Sequence, residues 1–313
     1  MEVVMIIIYV LAGIAVLVLL FTLYCYYSTF YHSERMKKSE LNAGAYKKAY
    51  DSTKILVDEL NGCKYEEVSV KAFDNTALVG SYYRFSESAP NAILFHGYRA
   101  WLRADNAALF KLFRESGFNI LVVDQRAHGR SAGHTISFGI NERRDCLTWV
   151  NYINERFGKP PVILAGVSMG AATVMMAMGL GLPDNVIGVV ADCGFSSPSG
   201  IIKKVAKDRG FAPSLVFPFV KLAARLFGGF DLSEADALSA VKASKLPLLL
   251  IHGDKDGFVP HYMSEEICDA RPQNTTLVTV HGADHALAYA TDSDLYSRTV
   301  NDFTDRVLND RLS

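Results

Sequence analysis

The stretch Val162-Ile163-Leu164-Ala165-Gly166-Val167-Ser168-Met169-Gly170-Ala171-Ala172 reads as a buried strand that turns sharply into a helix, with a serine at the corner. An unbroken apolar run suits a strand covered on both faces, and a serine flanked at two positions on either side by glycine suits a strained strand-to-helix turn. A side chain at position 166 or 170 would collide with strand or helix, and Gly166 and Gly170 leave the room. The short pattern is weak by itself, because glycine and serine are common residues. Its surroundings decide the reading.

Outward from this turn, short apolar runs at residues 92–95, 120–123, 186–191, 248–251 and 276–280 alternate with helical spacing over 106–115, 142–156, 168–180, 262–270 and 293–308. That alternation predicts a parallel sheet with helices on both faces. Before it, two alternating runs at 65–73 and 77–85 flank Asp74-Asn75-Thr76, a turn signal that makes them an antiparallel hairpin. The fold class is therefore α/β, with a mostly parallel sheet of eight strands. Between residues 195 and 237 the alternation lapses into a segment holding Phe211, Phe217, Phe219, Leu222, Leu226, Phe227 and Phe230. A helical cap inserted there would wall a substrate cleft.

The chain has 313 residues, half of them hydrophobic, which suits one large domain plus an anchor. Residues 3–27 carry no charge and are rich in Ile, Val and Leu, long enough to cross the hydrocarbon core of a bilayer. No basic segment precedes them and no small-residue cleavage site follows, which argues against a signal peptide. Tyr24, Tyr26, Tyr27, Phe30 and Tyr31 stand where an interfacial aromatic belt would lie, and Arg35, Lys37 and Lys38 follow. Positive charge on that side alone predicts a single-pass protein whose large domain faces the cytoplasm. The expected organisation is an anchor over 1–31, a helical juxtamembrane linker over 32–61 with apolar spacing from Ser39 to Leu60, and a catalytic domain over 62–313.

With 32 basic and 33 acidic residues intermixed, nothing in the charge pattern suggests a nucleic-acid surface. Five cysteines, Cys25, Cys63, Cys146, Cys193 and Cys268, show no metal-ligand or C-x-x-C spacing and read as reduced thiols. The histidines have no metal-binding spacing either, so neither metal nor cofactor is expected.

A serine hydroxyl is a poor nucleophile, so Ser168 needs an imidazole to take its proton and a carboxylate to orient that imidazole. Both should follow in the order acid, then histidine, each in a loop after a strand. The strand at 248–251 leads into His252-Gly253-Asp254-Lys255-Asp256-Gly257-Phe258-Val259-Pro260, and the strand at 276–280 into His281-Gly282-Ala283-Asp284-His285. Reacting groups of open α/β sheets gather at the carboxyl ends of strands, which Ser168, Asp256 and His285 all satisfy. Asp192 and Asp254 are the other acids on that edge. His281 is a weaker base, and Asp284 is a loop acid directed away from its neighbour.

These residues resemble the α/β-hydrolase superfamily over nearly everything after residue 62. The resemblance rests on His96-Gly97-Tyr98, Gly166 to Gly170, the D-x-x-V-P of Asp256 to Pro260, Gly282-x-x-His285, and Asp124-Gln125-Arg126-Ala127-His128-Gly129-Arg130-Ser131. The anchor, the short cap and Asp192-Cys193-Gly194-Phe195 are most similar to bacterial membrane-anchored members related to the Bem46-like group. The resemblance implies Ser168 as nucleophile, His285 as general base then acid, and Asp256 as its orienter. It implies an oxyanion hole made by the backbone N–H of Met169 and of Tyr98, with His96 supporting that loop. His128, His134 and His252 read as structural, and Arg99 and Trp101 lie beside the pocket. The expected activity is a serine hydrolase cleaving a carboxylic ester, a thioester or an amide of an apolar acyl substrate, the cap's side chains and the bilayer both favouring an apolar one. A peptidase or acyltransferase would use the same chemistry, and a silent binding scaffold the same fold. The sequence leaves the oligomeric state open.

Overall fold

A computed structural model describes residues 1–33, 44–99 and 104–312. Helix α1 (Glu2–Thr29) is followed by α2 (Gly44–Gly62) and by the hairpin strands β1 (Glu66–Lys71) and β2 (Ala77–Tyr83). Then come β3 (Asn91–Phe95), α3 (Ala107–Glu115), β4 (Asn119–Asp124), α4 (Glu142–Phe157), β5 (Val162–Val167), α5 (Met169–Ala177) and β6 (Val186–Asp192). The cap helices α6 (Pro198–Asp208) and α7 (Pro213–Ala223) follow, the latter running into a π turn over Ala224–Gly228. Helix α8 (Ala237–Ala243), β7 (Leu248–Gly253), α9 (Tyr262–Ala270), β8 (Thr275–Val280), α10 (Ala288–Thr291) and α11 (Ser293–Leu312) complete the chain. Of the segment expected to be helical from Ser39, residues 39–43 lie outside the described ones, as do Arg35, Lys37, Lys38 and Trp101.

The eight strands form one sheet in the order β1-β2-β4-β3-β5-β6-β7-β8. Strand β2 pairs antiparallel with both β1 and β4, and every other pairing is parallel. Every residue of β3 to β7 is buried, whereas the edge strands β1 and β8 are partly exposed and rich in Glu, Lys and Thr. That contrast is the signature of a sheet covered on both faces with guarded edges. Cys146, Trp149 and Val150 of α4, most of α5, Val241 of α8 and Ile267 of α9 pack one face. Leu60 of α2, Leu109 and Phe113 of α3, and Val300, Phe303 and Val307 of α11 pack the other. The chain moves outward from β3 to β4 and then back across to β5, so the loops after β3 and β5 diverge and leave a crevice at the carboxyl edge.

Two features depart from the expected organisation. The end of α1 packs against the domain: Thr22, Cys25, Tyr26, Phe30 and His32 are buried. Phe30 meets Phe138 and Phe230 edge-to-face at 5.9 and 5.2 Å. Backbone bonds from Ile136 N–H to the Phe30 carbonyl (2.8 Å) and from His32 N–H to the His134 carbonyl (2.9 Å) fasten the same turn. The second departure is in the cap, where Phe217, Phe219, Phe227 and Phe230 pack inward while Phe211, Leu222 and Leu226 face outward. Those three do not wall a cleft.

The upstream part of α1 is long and apolar enough to cross a membrane, with a mean hydropathy of 3.2 and none of its most apolar window buried in the protein. Phe30→Ala should cost about 3–5 kcal/mol, because it empties a fully buried aromatic site. Leu11→Ala, in the exposed part of α1, should leave the unfolding temperature of the detergent-solubilised chain unchanged. Equal effects from both would show that the contact does not hold in solution.

Candidate active site

Ser168 follows β5 with φ 56° and ψ −116°, a conformation that non-glycine residues seldom adopt. The turn is held in place by Ser168 N–H donating to the Asp192 carbonyl at 2.8 Å, while Ala172 N–H closes the first helical bond back to the Ser168 carbonyl at 3.0 Å. A Cβ on Gly166 would fall on the Gly170 carbonyl group, and a Cβ on Gly170 would strike the carbonyl of Phe95. The start of α5 therefore lies directly against the end of β3. The Ser168 hydroxyl caps no helix. It points to His285.

His285 Nε2 lies 3.0 Å from Ser168 Oγ, and His285 Nδ1 lies 2.7 Å from Asp256 Oδ2. Nδ1–H donates to the carboxylate, so Nε2 is left to accept the serine proton. All three residues are buried. They come from the loops after β5, β7 and β8, and the sheet order sets them around the end of β6.

Asp256 is saturated with donors. Oδ1 accepts from Phe258 N–H at 2.9 Å and Val259 N–H at 2.7 Å. Oδ2 accepts from His285 and, at 3.2 Å, from His252 Nε2. Burial opposes the charged form, yet the hydrogen bonds from His252 and His285 outweigh it and hold this carboxyl well below the usual carboxylate range. His252 Nε2 also reaches the Val259 carbonyl at 2.9 Å, and a carbonyl only accepts, so Nε2 carries the proton. Nδ1 then accepts from the Ser264 hydroxyl at 2.7 Å. The sequence reading took His252 as merely structural and missed this contact. Its spacing of four residues from Asp256 follows no rule that would have flagged it.

The other acids and bases of this edge are engaged elsewhere. Asp254 accepts from Gly282 N–H at 2.7 Å and pairs with the exposed His281 at 3.1 Å. Asp284 is not directed away: its Oδ1 accepts from Gly257 N–H at 3.2 Å, bracing the Asp256 loop. Asp192 accepts from Tyr296 Oη–H at 2.9 Å rather than from His285. Its other oxygen, Oδ1, is buried without a hydrogen-bond partner among the described residues. Burial raises its pKa to about 6, the Tyr296 bond opposing this only in part. Cys193, at φ 46°, brings its sulfur within 4.8 Å of donor atoms of Asp256 and His285. Burial pushes that thiol far up, so it is a poor metal ligand as it stands.

The loop after β3 is held from several sides. His96 Nδ1–H donates to the Gly97 carbonyl at 2.8 Å, which leaves Nε2 to accept from Gln125 N–H at 3.0 Å. Gly97 N–H donates to Asp105 at 2.8 Å, and Arg99 N–H to His128 Nε2 at 3.0 Å. The end of α1 supplies further ties: Tyr98 Oη–H donates to the Thr29 carbonyl at 2.7 Å, and the Arg99 guanidinium to the Tyr31 carbonyl at 2.7 Å. Beneath this loop, Arg126 makes a buried two-pronged ion pair with Asp145 at 2.6 and 2.7 Å, and Arg130 pairs with Asp124 at 2.8 Å. The charged residues of the Asp124–Ser131 motif thus act as bracing for the turn itself.

The profile of the alpha/beta hydrolase family matches residues 92–298. The chain is 26% identical to the uncharacterized protein YqkD of Bacillus subtilis (strain 168) over 250 residues, which is 78% of this chain and 82% of that one. Identity is 26% over 211 residues to the lysophosphatidylserine lipase ABHD12 of Danio rerio, across 62% of this chain and 50% of that protein. Protein bem46 of Schizosaccharomyces pombe is 24% identical over 204 residues, across 63% of this chain and 62% of its own. Among solved structures, the Pyrococcus furiosus esterase Pf2001 superposes with a TM-score of 0.63 at 23% identity, covering 81% of this chain and 95% of the esterase. A profile that spans β3 to α11, on a sheet with this strand order and a serine at this turn, makes the protein a member of the alpha/beta hydrolase family.

Proposed function

We propose that the protein is a membrane-anchored serine hydrolase that cleaves carboxylic esters of apolar acyl groups through an acyl-Ser168 intermediate. The observation that carries this reading is the unbroken relay Ser168 Oγ, His285 Nε2, His285 Nδ1, Asp256 Oδ2, with spacings of 3.0 and 2.7 Å. The relationship to a lysophosphatidylserine lipase supports an acyl ester as substrate.

In this reading Ser168 Oγ attacks the ester carbonyl while its proton passes to His285 Nε2. The carbonyl electron pair moves onto oxygen, and the backbone N–H groups of Met169 and Tyr98 receive that charge. Collapse breaks the bond to the leaving oxygen, which takes the proton from Nε2 and departs as the alcohol. Water repeats the sequence on the acyl-serine, with His285 as base and then acid, and releases the carboxylic acid. Asp256 stays ionised throughout and stabilises the imidazolium. Its carboxylate oxygens accept four hydrogen bonds, from two backbone N–H groups and two imidazoles.

Labelling of the full-length chain by a fluorophosphonate should be lost in Ser168→Ala and His285→Ala, and labelling that survives Ser168→Ala would overturn the nucleophile. Asp256→Asn should lower ester turnover on the order of 10⁴-fold, the scale set by replacing a triad carboxylate. Asp192→Asn should stay within a few-fold of the parent, and the reverse ranking would move the acid to Asp192. The two carboxyls also act on stability with opposite signs. Asp192 takes up a proton on folding between pH 3.8 and about 6, so its contribution falls as pH rises through that window. Asp256, with its pKa depressed, contributes above the unfolded carboxylate range and loses that contribution as pH falls. Denaturant titrations should show Asp192→Asn flattening the first trend, and an unchanged profile would contradict the assignment. In sealed inside-in membranes the catalytic domain should resist external protease, and its digestion would reverse the topology.

A further inference from the structure

The outward-facing residues of the cap form a single stripe. Phe211, Leu215, Leu222 and Leu226 are 47, 71, 38 and 59% exposed, with Pro218 also exposed between them. Leu215 and Leu222, seven residues apart in α7, lie on one side of the helix, with Phe211 just before it and Leu226 in the π turn after it. An apolar row of this kind on the surface of a soluble domain marks a contact surface.

Its position identifies the partner. Helix α7 and its π turn pack along α1 through Phe21 with Phe219 at 5.0 Å, Tyr26 with Phe227 at 5.8 Å, and Phe30 with Phe230 at 5.2 Å. The numbers rise together in all three pairs, so α7 runs in the same direction as the anchor. Upstream of Phe219, α7 therefore climbs alongside the anchor toward its apolar half. At 1.5 Å per residue, Leu215 stands about 6 Å beyond Phe219, level with about Leu17. A hydrocarbon core needs about 20 residues, so an apolar span beginning at Val3 reaches about Thr22. Leu17 falls inside it.

We propose that the amino end of α7 is a second membrane contact: Leu215 sits in the leaflet that receives the end of α1, while Leu222 and Leu226 lie progressively nearer the aqueous side. Leu17 lies five residues inside Thr22, which gives Leu215 a depth of about 7–8 Å. The anchor, the cap and the loop carrying Tyr98 then face one leaflet together, which puts the carboxyl edge of the sheet against the bilayer surface. The proposal rests on α1 crossing that bilayer and is independent of the reaction at Ser168.

Tryptophan placed by Leu215→Trp, Leu222→Trp or Leu226→Trp in the full chain, reconstituted in phosphatidylcholine vesicles with brominated acyl chains, reports the contact by quenching. Leu17→Trp in the anchor and Phe85→Trp at the amino edge of the sheet are the two references, read against the unsubstituted chain. The expected result is quenching of Leu215→Trp at least two-fold greater than that of Phe85→Trp, decreasing through positions 222 and 226. If Leu17→Trp is quenched while positions 215 and 222 match Phe85→Trp, α7 lies outside the bilayer and the proposal fails. If Leu17→Trp is itself unquenched, the anchor does not span and the proposal falls with it.

Discussion

The backbone of α5 lies directly against the carboxyl end of β3, and the reactive edge of this protein is arranged around that approach. Only glycine fits at positions 166 and 170, since a Cβ at either would occupy backbone atoms of the neighbouring segment. The closeness forces Ser168 into a positive φ and lifts its hydroxyl above the sheet. It also sets the first N–H groups of α5 beside the loop that follows β3. Strain at the serine persists because neighbours over-determine it: Asp192 holds its N–H through its carbonyl, and the His96–Gln125 bond fastens the loop after β3 beside it.

Around this turn, position in the sheet assigns chemical character to groups that look equivalent as residue types. Asp192 and Asp256 both follow strands on the same edge. Asp192 accepts from one side-chain hydroxyl at its carboxylate, so burial raises its pKa to about 6. Asp256 meets two backbone N–H groups and two imidazoles, so it stays a carboxylate. Two histidines share that carboxylate, with His285 facing the serine and His252 locked between Ser264 and the Val259 carbonyl. His285 gives its Nδ1–H to Asp256, His252 shares its Nε2–H between Asp256 and the Val259 carbonyl, and the acid is fixed in place by both.

The anchor is joined to the same apparatus. Carbonyls of the last turn of α1 accept from Tyr98 and Arg99, two residues of the loop beside the serine, and Phe30 is buried under the cap. Changes in the angle of α1 would therefore be felt at the Tyr98 loop. A long apolar helix bonded in this way is part of the domain's architecture.

Much of this was legible in the amino-acid sequence, and for local reasons. Apolar runs of four to six residues between helical stretches can only be strands covered on both faces, and Gly-x-Ser-x-Gly, D-x-x-V-P and G-x-x-H each encode a turn through the residues of that turn. Strands, elbow, acid, base and the uncharged span of α1 are all properties of contiguous segments. What escaped were pairings between distant segments that no spacing encodes: His252 with Asp256 across a loop, Asp105 with Gly97, and Phe30 with Phe138 and Phe230. The direction of the cap's side chains belongs to the same class, because helical aromatic spacing is identical whether the stripe faces a cleft or a bilayer. By itself the sequence determined the fold class and the reacting residue types, since backbone sterics and burial periodicity act locally. Only the tertiary structure decided which carboxyl holds its charge to lower pH, which histidine braces it and where the end of α1 docks, because those depend on what surrounds each group in space.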